Sequence, residues 1–259
     1  MGRRSKITRA ALLTLCAVLL AFWAGGADAA LIKVGNLVLK ADGGFRPTAL
    51  PRVGYAPIDF RGYADLINTE GGAPTPLQEV QLDFDRDGKL ETKGLPVCPA
   101  AKISHSNVGQ ARRKCADAIV GTGHVGAILF FEGLPVWIRV KATLFNGPKK
   151  NGNPTVIGHA YTTIPSPHAY TVLIPITPRT GAYRYRATFD VPKLANGGIL
   201  THIDGRIGRR YTLHGKKRSY ASAKCTTGVI RTHGHFLFAD GTIIDGALEK
   251  PCTPVPLIP

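Results

Sequence analysis

The stretch VWIRVKATL, residues 136–144, decides the fold class because its apolar residues recur at every second position. Arg139, Lys141 and Thr143 would lie on one face of a strand. The opposite face would carry the apolar side chains of Val136, Ile138, Val140, Ala142 and Leu144. Strict alternation of this kind predicts a strand with one buried and one solvated face.

The same two-residue period extends outward along the chain. It recurs over residues 172–176 and 183–189, whereas residues 127–131 are apolar on both faces and predict a central strand. Turns such as Asn146-Gly147 separate these runs, and the chain holds 30 glycines and 19 prolines. Many short strands joined by turns predict an all-β fold, an antiparallel β-sandwich or flattened barrel.

Two segments depart from this pattern. Ser106 or Asn107 can cap a helix, so we expect one short helix near residues 107–115. Residues 42–76 are rich in proline, which cannot donate to a strand ladder. This segment is therefore predicted to run irregularly along the edge of the sheet.

The first residues have the order of a secretory signal. Four basic residues precede an apolar run over residues 10–24, which ends in the cleavage pattern Ala27-Asp28-Ala29. We expect residues 1–29 to be removed, with no transmembrane segment left in the mature chain. The mature chain is predicted to be a single β-rich domain, residues 30–252, followed by a disordered proline-rich tail, residues 253–259.

Four cysteines remain after removal of that segment: Cys98, Cys115, Cys225 and Cys252. An even number in an exported chain favours disulfide bonds, and four cysteines allow three pairings. Proximity along the chain favours Cys98–Cys115 and Cys225–Cys252. A zinc site is the alternative, but no C-x-x-C spacing supports it.

The chain is strongly basic, with a formal net charge of +16. Loss of residues 1–29 removes four basic residues and one acidic residue, which leaves +13. Such a charge attracts anions in general, so the expected partner is an anionic envelope polymer or another secreted protein, with no specific nucleic acid. The densest candidate site for anion binding comprises Arg209, Arg210, Lys216, Lys217 and Arg218. Alternatively, these five residues form only the solvated side of a hairpin.

Alternate aspartates followed by glycine, at Asp83, Asp85 and Asp87, match the start of a calcium-binding EF-hand loop. Gly94 stands where the loop requires a bidentate glutamate, and the residues before Asp83 predict a strand instead of a helix. The alternative is therefore a hairpin turn after an acidic strand end. Calcium is the one cofactor that the sequence suggests.

Other motifs carry less information. Residues 121–126 spell G-x-G-x-x-G, but a strand follows instead of a helix, so we expect a turn between strands and no dinucleotide site. His233 and His235 would share a strand face and could hold a metal, although no third ligand is evident. No G-x-S-x-G or H-E-x-x-H motif occurs, so no catalytic residue is nominated.

Several short blocks of the sequence resemble those of other proteins. They are DFDRDG (83–88), GLPVC (94–98), LFNG (144–147), IGRRY (207–211), FADGT (238–242) and Pro251-Cys252. Through these blocks the chain resembles a group of secreted bacterial proteins for which no activity is known. The resemblance implies export and a β-rich fold, and it implies no site residues.

Together these patterns favour a secreted or cell-surface β-rich protein of the cell envelope without catalytic activity, which binds an anionic or carbohydrate surface. Two alternatives remain. One is an extracellular hydrolase of envelope polymers, which requires a polar cleft with a nucleophile and a base. The other is a calcium-dependent adhesion module that depends on Asp83, Asp85 and Asp87.

Overall fold

The structure, a computed structural model, describes residues 29–256. The predicted signal segment therefore lies outside the described residues, apart from Ala29. Strands dominate the described part of the chain. In chain order they are β1 (Ala30–Val34), β2 (Leu37–Arg46), β3 (Ala49–Pro51), β4 (Ala56–Pro57), β5 (Asp59–Asn68), β6 (Leu77–Asp85), β7 (Gly88–Leu90), β8 (Ile119–Phe131), β9 (Leu134–Lys150), β10 (Asn153–Thr162), β11 (His168–Pro178), β12 (Tyr183–Asp190), β13 (Ile199–Ile207), β14 (Arg210–Leu213), β15 (Lys216–Ser219), β16 (Ala221–Ala223), β17 (Val229–Phe238), β18 (Ile243–Pro251) and β19 (Thr253–Val255).

Helical structure is confined, within residues 29–256, to short pieces. The helix α1 spans Ala100–Ile103, α2 spans Val108–Lys114, and single 3-10 turns occupy Ala116–Ala118 and Ala195–Gly197. Asn107 caps α2, because its side chain accepts from the Gln110 N–H while the Gln110 side chain accepts from the Asn107 N–H. The helix predicted near residues 107–115 is thereby confirmed. Nowhere in this part of the chain does a helix have the length and apolar character needed to cross a membrane.

Twelve strands form one antiparallel sheet in the order β1-β2-β5-β13-β8-β9-β10-β11-β12-β6-β17-β18. The sheet curls until its two outer strands, β1 and β18, are in contact. At Gly246 of β18, an added Cβ would lie 2.7 Å from Ile32 Cδ1 of β1. The sequence left open a sandwich or a flattened barrel, and the structure has the second form. The all-β prediction is confirmed.

The barrel has one seam, where β18 lies against β1 and β2. Within the described residues no backbone ladder joins β18 to β1 or β2, so side chains hold the seam together. Lys250 of β18 lies 2.6 Å from the carboxylate of Asp42 in β2. Burial by itself would raise the pKa of Asp42, but hydrogen bonds from Lys250 and the Gly43 N–H outweigh it and lower that pKa.

Alternation along the strands places apolar side chains inside the barrel, as predicted. One buried cluster joins both halves of the sheet: Leu37, Leu39, Leu66, Leu77, Val80, Leu200, Phe236, Phe238 and Ile244. A second cluster contains Leu95, Val120, Val156, Ile176, Ala187 and Tyr220. Residues 127–131 lie in β8, which pairs with β13 on one side and β9 on the other, so the predicted central strand is confirmed.

Both disulfide bonds have the favoured pairing. Cys98–Cys115 links the α1–α2 region, which packs on the outside of the sheet against Phe145 and Ile157. We call this region, residues 98–118, the helical cap. Cys225–Cys252 lies at one end of the barrel, in a cluster with Phe45, Leu50, Ile58 and Ala223. The three-stranded sheet β4-β16-β7 covers that end.

Five sequence expectations differ from the structure. Asn146-Gly147, expected as a turn, lies within β9 and pairs with β10, and Thr143, expected on a solvated face, is buried. The tail expected to be disordered from residue 253 begins with β19, which pairs in parallel with β3. The proline-rich residues 42–76 include β5, which lies inside the large sheet between β2 and β13 because its ten residues contain no proline. Residues 121–126 form part of β8 instead of a turn. The glycines serve close packing of strands, because a Cβ at Gly121 or Gly123 would collide with a backbone oxygen of β13.

Candidate functional site

The interior of the barrel contains a cavity of about 390 Å³ that is partly open. Its wall is largely apolar and includes Leu39, Phe60, Leu82, Phe84, Ile176 and Ile203. The cavity lies between the two clusters of inward side chains, since it takes Leu39 and Leu66 from the first and Val156 and Ile176 from the second. Its volume falls in the range of sites for small organic ligands, about 300–1,000 Å³.

A row of small residues explains why the interior is not filled. Gly43, Gly62, Gly205 and Gly123 stand opposite one another across β2, β5, β13 and β8. The row continues into β9 with Ala142. Gly43, Gly62 and Gly205 line the cavity, so three neighbouring strands contribute no side chain to it at this level, whereas a Cβ at Gly123 would meet the Asp204 carbonyl oxygen of β13.

Tyr220 supplies an unusual polar group to this apolar wall. Its side chain is fully buried and lines the cavity, and its hydroxyl has no hydrogen-bond partner. Burial raises the pKa of Tyr220 above its ordinary value, so the phenol keeps its proton. The hydroxyl is therefore buried among apolar side chains without a protein acceptor.

The seam borders the cavity. Ala30 and Ile32 line it from β1, while Gly246, Leu248 and Lys250 line it from β18. Elsewhere around the barrel, separating two strands breaks a ladder of backbone hydrogen bonds. At the seam it breaks side-chain contacts, above all the Asp42–Lys250 ion pair.

The three aspartates of the calcium motif are buried, and each has protein donors. Asp83 accepts two hydrogen bonds of 2.7 Å from the Arg186 guanidinium. Asp85 accepts from the backbone N–H groups of Asp87 and Arg231 at 2.8 Å. Asp87 accepts from the N–H and hydroxyl of Thr226 at 2.7 and 2.6 Å.

Each of these carboxylates would have to surrender protein hydrogen bonds to coordinate a cation. Residues 29–256 contain no group of three or more His, Cys, Asp or Glu side chains that could hold a metal ion. Calcium binding by Asp83, Asp85 and Asp87 stays a prediction, which a thermal melt with millimolar Ca²⁺ and an Asp85→Ala variant would test.

The basic residues nominated for anion binding divide into two sets. Lys216, Lys217 and Arg218 are exposed on β15, in the two-stranded hairpin that β15 forms with β14. We call residues 210–219 the basic hairpin. Arg210 instead donates to the Ile58 carbonyl at 3.0 Å and to the Ser219 hydroxyl at 2.8 Å, and Arg209 is half-buried.

The two histidines of β17 lie on one face, as predicted, and both approach the same carboxylate. His235 Nδ1 is 2.9 Å and His233 Nε2 is 3.6 Å from Asp245 Oδ1. A second histidine network was not anticipated. His202 lies between Asp65, at 2.6 Å, and Asp204, at 3.1 Å.

A second, smaller depression has a volume of about 230 Å³. Asp85, Arg86, Ala182, Thr227 and Arg231 line it. The Asp85 carboxylate is occupied by backbone N–H groups, and the Thr227 hydroxyl donates to the Val229 carbonyl at 3.1 Å. This depression thus brings together no nucleophile and base of the kind that the hydrolase alternative requires.

Sequence reasoning missed the cavity and the burial of Tyr220. The alternating patterns identify inward residues, but they do not reveal that the sheet closes around a space. Tyr220 stood out only as an aromatic residue close to the basic run, residues 209–218. Its burial depends on contacts with Val120, Val156 and Ile176, which are distant in the chain.

The chain matches no model of a known protein family, and searches of curated proteins and of solved structures yield no significant match.

Proposed function

We propose that this protein binds a small, largely apolar molecule inside the barrel. The observation that carries this proposal is the cavity of about 390 Å³, whose wall is formed mainly by Leu, Ile, Val, Ala and Phe side chains. Binding of an apolar ligand in this cavity is favourable by about 25 cal/mol for each Å² of apolar surface that is removed from water. Gly43, Gly62 and Gly205 line this space without adding a side chain to it.

The seam provides the route of entry in this proposal. β18 can part from β1 without loss of a backbone ladder, and the residues on both sides of the seam already line the cavity. The Asp42–Lys250 pair would close the seam again after the ligand has entered. Edges that lack backbone pairing are the parts of a sheet that open at lowest cost.

We place this activity outside the cytoplasm. Two disulfide bonds support an oxidising compartment, and the signal-like residues 1–29 support export. A carrier of apolar molecules has a physical role in that setting, because such molecules cross aqueous layers slowly unless a protein covers their surface.

The test is titration of the mature chain with N-phenyl-1-naphthylamine, an uncharged dye whose fluorescence rises in apolar surroundings. We expect saturable binding with one site for each chain. In an Ala64→Phe variant, the ring would occupy the cavity that Ala64 lines, and the dissociation constant should rise at least about tenfold.

Ala247→Phe is the matched control. Ala247 is exposed on β18 and points away from the cavity, so the same substitution there should leave dye binding unchanged. Equal loss in both variants, or no saturable binding by the wild-type chain, would refute the proposed function.

An anionic surface is a second candidate ligand, favoured by the basic hairpin. Lys216, Lys217 and Arg218 are consecutive and exposed, and they project from a two-stranded hairpin outside the barrel wall. This surface would act through charge attraction and is separate from the cavity.

A further inference from the structure

Exposed apolar side chains gather at one end of the barrel. It is the end at which β2, β6, β9, β11, β13 and β18 begin, since neighbouring strands of the large sheet are antiparallel. Residues 29–256 expose eleven large hydrophobic side chains, and seven of them lie here: Val34, Ile67, Phe131, Leu134, Trp137, Ile164 and Ile243. Single exposed apolar residues are normal on a protein surface, whereas such a concentration indicates an interaction surface. We call these seven residues the apolar end.

The β8–β9 hairpin extends beyond its neighbours in the sheet at this end. β13 pairs with β8 only as far as Ile128, and β10 pairs with β9 only from Ala142 onward. The two turn residues have positive φ angles of 50° and 79°, the conformation of a tight two-residue hairpin turn. Phe131 and Leu134 flank that turn and are exposed, so the fold presents both side chains to solvent.

The outer face of β9 has the order of groups that a lipid surface requires. Trp137 is exposed, and the exposed cations Arg139 and Lys141 follow it on the same face, further from the turn. Leu134 and Trp137 are three residues apart, about 10 Å along a strand, which matches the depth of about 5–10 Å that interfacial segments reach. Apolar groups thus come first, an aromatic ring second and cations last, at the level of lipid phosphates.

The charges at this end favour a lipid with a zwitterionic headgroup. Arg139 and Lys141 can approach its phosphate, and the exposed carboxylates of Glu70, Glu132 and Asp240 can approach its ammonium group. An anionic lipid surface would be repelled by these three carboxylates. Two copies that met end to end would bring the same carboxylates together, so the charges also disfavour a second copy as the occupant.

We propose that the apolar end docks on a zwitterionic lipid surface and inserts Phe131, Leu134 and Trp137 among the headgroups. This inference goes beyond the proposed function and depends on separate residues, since none of the three lines the cavity. If the proposed function holds, the lipid surface is also the source of the apolar molecule that enters the barrel.

The chain contains its own reporter for this contact. Its two tryptophans are Trp23 and Trp137, and removal of residues 1–29 leaves Trp137 alone in the mature chain. The mature chain is titrated with vesicles of phosphatidylcholine. We expect the emission of Trp137 to move to shorter wavelengths in a saturable way, and brominated phosphatidylcholine to quench it, because the indole ring leaves water.

Leu134→Ser and Val53→Ser are matched variants that keep this reporter. Val53 is 72% exposed and Leu134 69%, but Val53 lies at the opposite end, between β3 and β4. Leu134→Ser should weaken partition into the vesicles about tenfold, whereas Val53→Ser should leave it unchanged. Without vesicles, both variants should bind N-phenyl-1-naphthylamine as the wild type does, which shows that both are folded.

Four outcomes would overturn the inference. They are an emission maximum that lipid does not move, equal partition of Leu134→Ser and Val53→Ser, a shift that requires phosphatidylglycerol in the vesicles, and a shift that grows with protein concentration without vesicles. The third would assign the contact to charge alone, and the fourth would assign this end to a second copy. Dye binding in solution tests the proposed function separately, because it involves no vesicle and none of the three inserted residues.

Discussion

The carboxylate of Asp83 is 5% exposed, and Arg186 holds it with two hydrogen bonds of 2.7 Å. The Arg186 guanidinium, helped by Arg179, lowers the pKa of Asp83 below its ordinary value. A carboxyl whose pKa is lower in the folded state stabilises the protein above its unfolded pKa of about 3.9. This stabilisation is lost as the pH falls through the lower folded value.

We therefore expect Asp83→Asn to lower the free energy of unfolding by about 1–3 kcal/mol at pH 7, because it leaves Arg186 without its partner. The difference from the wild type should shrink when the pH falls from 5 to 3. Guanidinium unfolding at pH 7, 5 and 3 measures both effects.

Asp117→Asn is the control for this measurement, since Asp117 is an exposed carboxylate on a 3-10 turn. It should change the free energy of unfolding by less than about 0.5 kcal/mol at each pH. The interpretation of the Asp83–Arg186 pair is wrong if Asp83→Asn costs as much at pH 3 as at pH 7.

Individual residues also mark the limit of sequence reasoning. The spacing of Asp83, Asp85 and Asp87 suggests a shared ligand. Apart from the local Asp87 N–H, however, their donors are Arg186, Arg231 and Thr226, which are 100 or more residues away along the chain. The capping residue Asn107 was predictable because its partner Gln110 is three residues away. Local hydrogen bonds can be read from sequence, and distant ones require the fold.

Among the secondary-structure elements, the two disulfide bonds serve different parts of the fold. Cys98–Cys115 belongs to the helical cap, whose contacts are with Phe145 and Ile157 on the outside of the sheet. Cys225–Cys252 packs with Phe45 and Ile58, and both of these residues line the cavity. The bonds close segments with sequence separations of 17 and 27 residues.

Each bond should contribute about 3 kcal/mol by restricting the unfolded chain. We expect Cys98→Ser/Cys115→Ser and Cys225→Ser/Cys252→Ser to lose similar stability by guanidinium unfolding. Dye binding should differ: the second variant should bind N-phenyl-1-naphthylamine at least about threefold more weakly, while the first keeps wild-type affinity. Each variant is the control for the other, and an equal change in affinity would contradict this division of roles.

Strand prediction succeeded where alternation was uninterrupted and failed where proline or glycine dominated the composition. Proline between residues 42 and 76 suggested an edge segment, yet those prolines lie outside the ten residues of β5. The glycines of residues 121–126 suggested a turn, yet they permit β8 to lie close to the backbone of β13. In both cases the neighbouring strand decides the conformation, and it comes from a distant part of the sequence.

For the whole molecule, closure of the barrel is the feature that the sequence did not reveal. Alternating strands are compatible with two packed sheets or one curled sheet, because both have an apolar inner face. The choice depends on the approach of β18 to β1, which joins residues about 200 positions apart. The cavity is a consequence of that closure and of the aligned glycines, so it could not be inferred before the strand order.

Strand direction also gives the barrel unequal ends. β9, β11 and β13 run the same way, and exposed cations follow their carboxyl ends at Lys149, Lys150, Arg179 and Arg210. The basic hairpin extends this end. At the opposite end, the turns expose Glu70, Glu132 and Asp240. Since the basic hairpin and these cations lie at the same end, an anionic surface should meet that end.

We expect a Lys216→Ala/Lys217→Ala/Arg218→Ala variant to elute from phosphocellulose at a salt concentration roughly 0.1 M lower than the wild type. The matched control is Lys33→Ala/Lys40→Ala/Lys193→Ala, which removes the same charge from exposed positions on β1, on β2 and after β12. Because net charge falls equally in both variants, a difference between them measures the position of the charge. If the two variants elute together, retention reflects net charge alone and the basic hairpin is a solvated surface without a role in anion binding.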